Sequence, residues 1–305
     1  VHLFKPKAYA GLTGTILWYL QKLGSTKARI VLDTDDWEGP GGWNDVAPYS
    51  WWQRQVFAWQ ETWGLTHNQA LTVASRELAS LALDLGVPAE TVYHVPNGVG
   101  GVDTWGAEDW GRAVRSKWGL GRAPVVLLYT RFFEFPPERV VRILRRLLDQ
   151  EPSVCLLVLG RGLFGEEEHF RALAQEAGLE ANTVYPGWLD FPELRGYFAA
   201  ADLAIVPLED NLLNRARCPA KVVDLMAAGV PLVAEDVGEV GRYVVHLSSG
   251  YLVPAGDEDA FVEGTVRLLK DQALRLGLGV KARERVLEHL SWSKLADVVE
   301  GAYQA

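Results

Sequence analysis

The feature that most constrains this chain is an alternation, through its second half, of short β-branched apolar runs with amphipathic stretches of helical period. Val125-Val126-Leu127-Leu128-Tyr129 reads as a buried strand, and Glu138 to Asp149 as a helix that turns Val140, Val141, Leu144 and Leu147-Leu148 inward. Val154 to Leu159 is the next strand, ending at Gly160-Arg161-Gly162. A helix from about Glu166 to Ala177 stops at Gly178, a residue suited to a left-handed cap. Thr183 to Tyr185, Leu203 to Val206 and Pro231 to Ala234 supply three more strands with helices between them. Strands alternating with helices pair in parallel through right-handed crossovers, which predicts a doubly wound α/β domain over roughly Lys117 to His289.

The first half follows the same grammar less fully. Ala28 to Leu32, Leu71 to Ala74 and Val92 to Val95 have the composition of buried strands, and Ser75 to Leu85 that of a helix closed by Gly86. About four strands precede Pro96-Asn97-Gly98, fewer than a Rossmann sheet usually carries. The chain also opens Val1-His2-Leu3-Phe4, without methionine and inside an apolar run, so a fragment with an incomplete first domain is expected. The polar, glycine-rich stretch from Gly98 to Gly121 reads as a linker. The expected division is a partial first domain with linker over residues 1–115, a second domain over 116–289 and a C-terminal helix over 290–305.

Composition removes several classes of function. The 305 residues suit two domains, and 49% hydrophobic with 23% charged residues is ordinary for a globular chain. A net charge of −9 argues against a non-specific nucleic-acid binder. No run approaches the ~18 apolar residues of a membrane span. Cys155 and Cys218 stand outside any CxxC or metal-binding spacing, which fits a reducing, cytoplasmic setting with at most peripheral membrane contact. Trp52, Val56, Trp59 and Trp63 share one helical face, with Trp43 and Trp51 just before it. Such a stripe is expected to be core; the alternative is an acceptor or membrane-surface platform, although the Lys/Arg-rich polar face of a strong anionic-membrane anchor is lacking.

Four segments, in order, resemble the family 4 glycosyltransferases of the GT-B fold. His94-Val95-Pro96-Asn97-Gly98-Val99 is similar to the strand end that closes the family's acceptor domain. Leu127-Leu128-Tyr129-Thr130-Arg131 resembles the first strand of the donor domain, and Leu157 to Gly162 its glycine turn. The most specific match is Pro219-Ala-Lys221-Val-Val-Asp224-Leu-Met-Ala-Ala-Gly229-Val-Pro231, which resembles the family's donor helix. Val237-Gly238-Glu239, Gly250 to Pro254 and the terminal helix after Ser291-Trp292 continue the series. The resemblance spans nearly the whole chain and implies two Rossmann-like doubly wound domains facing a cleft, the second binding a nucleotide diphosphate sugar and the first holding the acceptor. It also implies retaining transfer without metal or other cofactor.

Carried over residue by residue, the resemblance places Asp224 on the ribose hydroxyls, where the family has Glu; an Asp that merely favours a helix N-terminus is the plainer reading. Arg131 takes the place of an arginine that meets the diphosphate, while the lysine normally found five residues later is Pro136. Arg217 and Lys221, flanking the donor helix start, are the candidates to supply that charge. A second Glu, eight positions before Asp224 in the family, is Ala216, which accepts no side-chain hydrogen bond; Asn211, Asn214 and Arg215 are nearby substitutes. Gly160 and Gly162 allow backbone to approach a ligand. Beyond them, the Glu166-Glu167-Glu168 run would repel a pyrophosphate.

Asp33-Thr34-Asp35-Asp36-Trp37 contains a D-x-D string, which binds metal in a different glycosyltransferase fold. In the GT-B arrangement the nucleotide lies in the other domain, so Asp35 and Asp36 are instead candidate active-site carboxylates, or a capping cluster before Gly39-Pro40-Gly41-Gly42. The expected function is a glycosyltransferase acting on a lipid, polysaccharide or small-molecule acceptor, with Asp35, Asp36, Arg131 and Lys221 catalytic. Two readings stay open beside it: a nucleotide-sugar-binding protein without transfer activity, motivated by Ala216 and Pro136, and a nucleotide-sugar epimerase of the same fold.

Overall fold

The computed structural model describes residues 1–100 and 108–304. The chain begins with β1 (His2–Phe4), α1 (Ala8–Lys22) and β2 (Val31–Thr34), followed by α2 (Trp43–Val46) and α3 (Trp51–Thr66). It continues through β3 (Ala70–Val73), α4 (Arg76–Asp84) and β4 (Val92–His94). The four strands form one parallel sheet in the order β1-β2-β3-β4. Each residue of β3 is buried, as an inner strand covered on both faces must be. The side chain of Ser75 caps α4 by accepting the Leu78 N–H at 3.1 Å, and Gly86 follows the helix with φ +86°.

The packing of α3 overturns the expected tryptophan core. The Gln60 side chain accepts the Ala8 N–H at 2.8 Å and donates to the Ala8 carbonyl at 3.1 Å, tying α3 to the start of α1. A Cβ at Gly64 would lie 2.5 Å from Pro6 Cβ, so only glycine permits this approach. These close contacts turn Gln60, Glu61 and Leu65 inward. The opposite face therefore carries Trp51, Trp52, Val56 and Trp59 into solvent, Trp52 at 72% exposure. Trp63 is half-buried, stacked on His67 and edge-on to Trp18. Helix α1 adds exposed Tyr9, Leu12, Ile16 and Tyr19.

The stretch expected to be a linker contains α5 (Glu108–Lys117); residues 101–107 of it lie outside the described residues. Next come β5 (Val125–Thr130), α6 (Pro137–Gln150), β6 (Cys155–Gly160) and α7 (Glu166–Glu176). They lead to β7 (Thr183–Gly187), α8 (Phe191–Ala200) and β8 (Leu203–Val206). Helix α5 is no spacer. It packs on α8, and a Cβ at Gly111 would stand 2.5 Å from the Ala199 carbonyl oxygen. Arg115 fixes its end by pairing with Asp202 at 2.8 Å.

The rest of the chain is α9 (Leu212–Ala216), α10 (Ala220–Ala227), β9 (Leu232–Glu235), α11 (Val240–Tyr243) and β10 (Tyr251–Val253), followed by α12 (Glu258–Lys270), α13 (Gln272–His289) and α14 (Trp292–Gln304). The second sheet is parallel throughout, in the order β10-β9-β8-β5-β6-β7. Its core is built from β-branched and leucine side chains of β5, β6 and β8 with Ile143, Leu147, Phe170 and Phe261 from the covering helices. Two compact units result. One comprises Val1–Gly98, Asn211–Pro219 and Leu290–Ala305, and the other Val99–Asp210 and Ala220–His289. In the first, α14 packs on β3 and β4, burying Leu295 and Ala302, and the Tyr303 hydroxyl meets His2 at 2.8 Å.

Candidate functional site

In the second unit, strand order reverses at β5, which lies between β8 on one side and β6 on the other. Open parallel sheets bind ligands beyond the carboxyl ends of their strands at such a reversal. The residues there are Thr130 and Arg131, and α10 brings Lys221 and Asp224 to the same place. The Tyr129 hydroxyl feels both Asp224 and Arg131; burial, reinforced by the Asp224 charge and opposed by Arg131, pushes it up to about 12. Lys221 Nζ stands 5.9 Å from the Tyr129 ring centre and 6.0 Å from that of Phe133. Burial pushes the Asp224 carboxyl up to about 6, against the pull of the Lys221 ammonium. Arg131, Lys221 and Asp224 are thus brought together around Tyr129, a residue that sequence reasoning did not single out.

Glu134 is a second such residue. It is buried and accepts a 2.6 Å hydrogen bond from Lys221 Nζ. Its other oxygen accepts from Thr130 Oγ1 at 2.9 Å and from the Arg131 N–H at 3.1 Å. The Arg131 guanidinium lies 5.4 Å from the exposed Trp188 ring, and its Nε donates to the Arg161 carbonyl at 2.9 Å.

The glycine turn after β6 has a structural cause. A Cβ at Gly160, whose φ is +127°, would stand 1.8 Å from the Thr130 carbonyl oxygen, so close strand approach already demands glycine there. The Gly162 N–H donates to the Glu167 carboxylate at 2.9 Å, and the Phe164 N–H to that of Glu166 at 2.7 Å. The first two acidic residues of α7 thus fold back over the turn's own donors.

In the first unit, Asp35 and Asp36 follow β2 and share one lysine. Lys5 Nζ lies 3.0 Å from Asp35, 2.9 Å from Asp36 and 3.5 Å from Glu38. Lys7 holds the other Glu38 oxygen at 2.5 Å and also donates to the Tyr49 hydroxyl. Burial raises the Asp35 carboxyl, and Asp36 adds to the rise while Lys5 opposes it. Behind this cluster stands Glu61 of α3, fully buried, and among the described residues no side chain hydrogen-bonds either of its carboxylate oxygens. Burial, together with the Glu38 charge, pushes it up to about 8, so at neutral pH it is an uncharged acid. Among the described residues no group of three or more His, Cys, Asp and Glu is placed to hold a metal ion; a lysine ammonium fills the space between the two aspartates.

The remaining candidates also fall in the first unit. Arg217 is buried at 8% exposure, within the segment Asn211–Pro219. Ala216 is fully buried and its carbonyl accepts from Ser75 Oγ at 2.5 Å. Asn211 caps α9 through the Asn214 N–H at 2.9 Å, and Arg215 pairs with Glu77 at 3.6 Å. These contacts give Asn211 and Arg215 structural work within that unit.

Two parallel sheets, each wound with helices, and a charged constellation at the strand reversal of the second define the GT-B class of glycosyltransferase folds. Comparison with known proteins agrees. Residues 124–271 match the family described as Glycosyl transferases group 1. A GDP-mannose-dependent alpha-(1-6)-phosphatidylinositol monomannoside mannosyltransferase of Mycolicibacterium smegmatis is 26% identical over 243 residues, which is 77% of this chain and 63% of the relative. A phosphatidyl-myo-inositol mannosyltransferase of Mycobacterium leprae is 31% identical over 165 residues, 52% of this chain and 41% of the relative. The chain therefore spans less than two thirds of these relatives. Among solved structures, Anabaena HepE in complex with UDP-glucose superposes with a TM-score of 0.78 at 18% identity, over 100% of this chain and 79% of the other. Sucrose-phosphate synthase from Thermosynechococcus elongatus gives 0.75 at 22% identity, over 99% and 72%.

Proposed function

We propose that this protein transfers a glycosyl group, with retention and without a metal, from a nucleotide diphosphate sugar to an acceptor hydroxyl. The observation that carries the reading is the grouping of Arg131, Lys221 and Asp224 around Tyr129 at the strand reversal, inside the segment matched to the family. In it, Asp224 accepts the ribose hydroxyls. Arg131 and Lys221 balance the charge that builds on the departing diphosphate, with Arg217 and the Gly160–Gly162 turn as further donor contacts. Asp35 and Asp36, positioned by Lys5, face the acceptor. The relatives' names point to GDP-mannose and a phosphatidylinositol-type lipid, whereas the similar structure holds UDP-glucose. A lipid acceptor agrees with the exposed tryptophan face of α3 as a peripheral membrane contact in the cytoplasm. No helix among the described residues is long and apolar enough to cross a membrane.

The test is release of nucleoside diphosphate from GDP-mannose and UDP-glucose, with and without phosphatidylinositol vesicles, followed by assignment of the product anomer by NMR. Vesicle-dependent release from one donor, with the donor's anomeric configuration kept, is the expected result. A second reading, a nucleotide-sugar-binding protein without transfer, is favoured by Ala216, which is buried with its carbonyl bound to Ser75 where the resemblance expects a sugar-binding carboxylate. Binding of the diphosphate without release from either donor would decide for it.

A further inference from the structure

The geometry points to Glu134 as the residue that sets how tightly this protein holds a diphosphate, by sharing the Lys221 ammonium with it. The inference rests on the reading above that Lys221 faces the donor's diphosphate. Glu134 is not a loose surface acid: it is buried at 5% exposure, and its carboxylate is pinned by Thr130 Oγ1 and the Arg131 N–H. Thr130 Oγ1 in turn accepts the Phe132 N–H at 2.7 Å, and Phe132 adopts a left-handed φ of +66°. Such a backbone is retained only where surrounding contacts impose it. The turn that carries Glu134 is therefore held in place, and the carboxylate stays beside Lys221 whether or not an anion is bound.

The consequence is electrostatic. An ammonium carries three N–H donors, and the 2.6 Å bond to Glu134 uses one of them. Its positive charge is nevertheless already balanced. An arriving diphosphate meets a lysine–glutamate pair of no net charge, with a fixed carboxylate next to it, and the ring centres of Tyr129 and Phe133 lie 5.9 and 6.0 Å from the ammonium. Glu134 thus orients the ammonium for the transferring diphosphate while weakening the site's hold on the diphosphate left behind, which favours release of the product. Pro136 stands where the resemblance expects a lysine, so more of the charge facing the diphosphate falls to Lys221, the residue on which Glu134 acts.

Affinities of UDP, GDP, uridine and guanosine, measured by calorimetry on the full chain, test this. Glu134→Gln keeps the shape and the acceptor oxygen but removes the charge. It should bind the preferred diphosphate about tenfold more tightly, the scale of one charge-assisted hydrogen bond, with nucleoside affinity unchanged. The gain should vanish when Lys221→Met is added, and Glu134→Asp, which keeps the charge, should show none. Equal diphosphate affinity for the native and Gln proteins, or a gain shared by the Asp variant, would overturn the inference while leaving the donor site standing. If the native protein binds neither diphosphate more tightly than its nucleoside, the donor-site reading falls, and this inference with it.

Discussion

Glu61→Gln removes one proton-binding group from the interior of the first unit and leaves the volume of the side chain almost unchanged. In the native protein, burial moves the Glu61 carboxyl from 4.5 to about 8. At ~1.4 kcal/mol per pH unit, that rise makes the ionised side chain costlier in the folded than in the unfolded state by at most ~5 kcal/mol. The sign follows from proton counts. Between these two values the folded state keeps a proton that the unfolded state has lost, so the stability contributed by the neutral acid is complete below about 4.5 and declines as pH rises to about 8. Above that, both states are ionised and the loss is complete. Glutamine cannot ionise and escapes the decline. Allowing for relaxation of the site, Gln at this position should match the native protein near pH 5 and exceed it by at least ~2 kcal/mol at pH 8.5, a rise in Tm of roughly 4–8 °C for a unit of this size. Thermal melts of both proteins from pH 5 to 9 provide the assay, with hydrogen exchange of β2 and β3 amides confirming that the gain lies in the first unit. Parallel stability curves over the whole range would refute the reasoning, because they would mean that Glu61 ionises as readily when folded as when unfolded.

Asp224→Ala should weaken binding of the preferred nucleoside diphosphate by about 1.5–3 kcal/mol in a calorimetric titration, and unchanged affinity would leave Asp224 a purely helical role. Because its carboxyl is pushed up to about 6, native affinity should also fall as pH drops through that value, and the Ala variant should lack this dependence. Asp35→Asn and Asp36→Asn should each lower turnover more than donor affinity in steady-state kinetics; an effect on affinity alone would reassign them. Replacing Trp52 and Trp59 together by Ser should reduce co-sedimentation with phosphatidylinositol vesicles several-fold while leaving the melting temperature nearly unchanged, since both side chains are exposed.

The second unit was legible because its inner strands are buried on both faces and write themselves as uninterrupted apolar runs. Val125 to Tyr129 and Leu203 to Val206 match β5 and β8 within a residue. The first unit hid its packing because the contact between α1 and α3 is made by glycines and Gln60. Hydrophobic periodicity takes the apolar stripe of a helix as its inner face, and here that stripe is the outer one. Glu61 escaped notice for the same reason, as a carboxylate seldom stands fully buried without a charged partner. At the strand reversal of the second unit, motif spacing singled out Asp224, Arg131 and Lys221, which stand together around Tyr129. Glu134 and Tyr129 were missed because their contacts with Lys221 come from a turn and a strand end that meet α10 only in three dimensions. Helix α5 was hidden by its polar, glycine-bearing sequence, although Gly111 proves to be the residue that lets it approach α8.

The segment Asn211–Pro219 belongs to the first unit although the chain on either side of it belongs to the second. Its Leu212 and Ala216 side chains complete a core that includes Leu3, Ile30, Leu65 and Leu78. The molecule therefore resists dissection by simple truncation. A recombinant piece covering residues 99–289 would carry this loop away from its host, exposing Leu213 and Ala216 to water, while a piece ending at Gly98 would be left with an unfilled notch. Anyone wishing to study the second unit alone should replace 211–219 by a short glycine–serine bridge, and should expect the matching first half to need that nonapeptide supplied back, either fused or in trans.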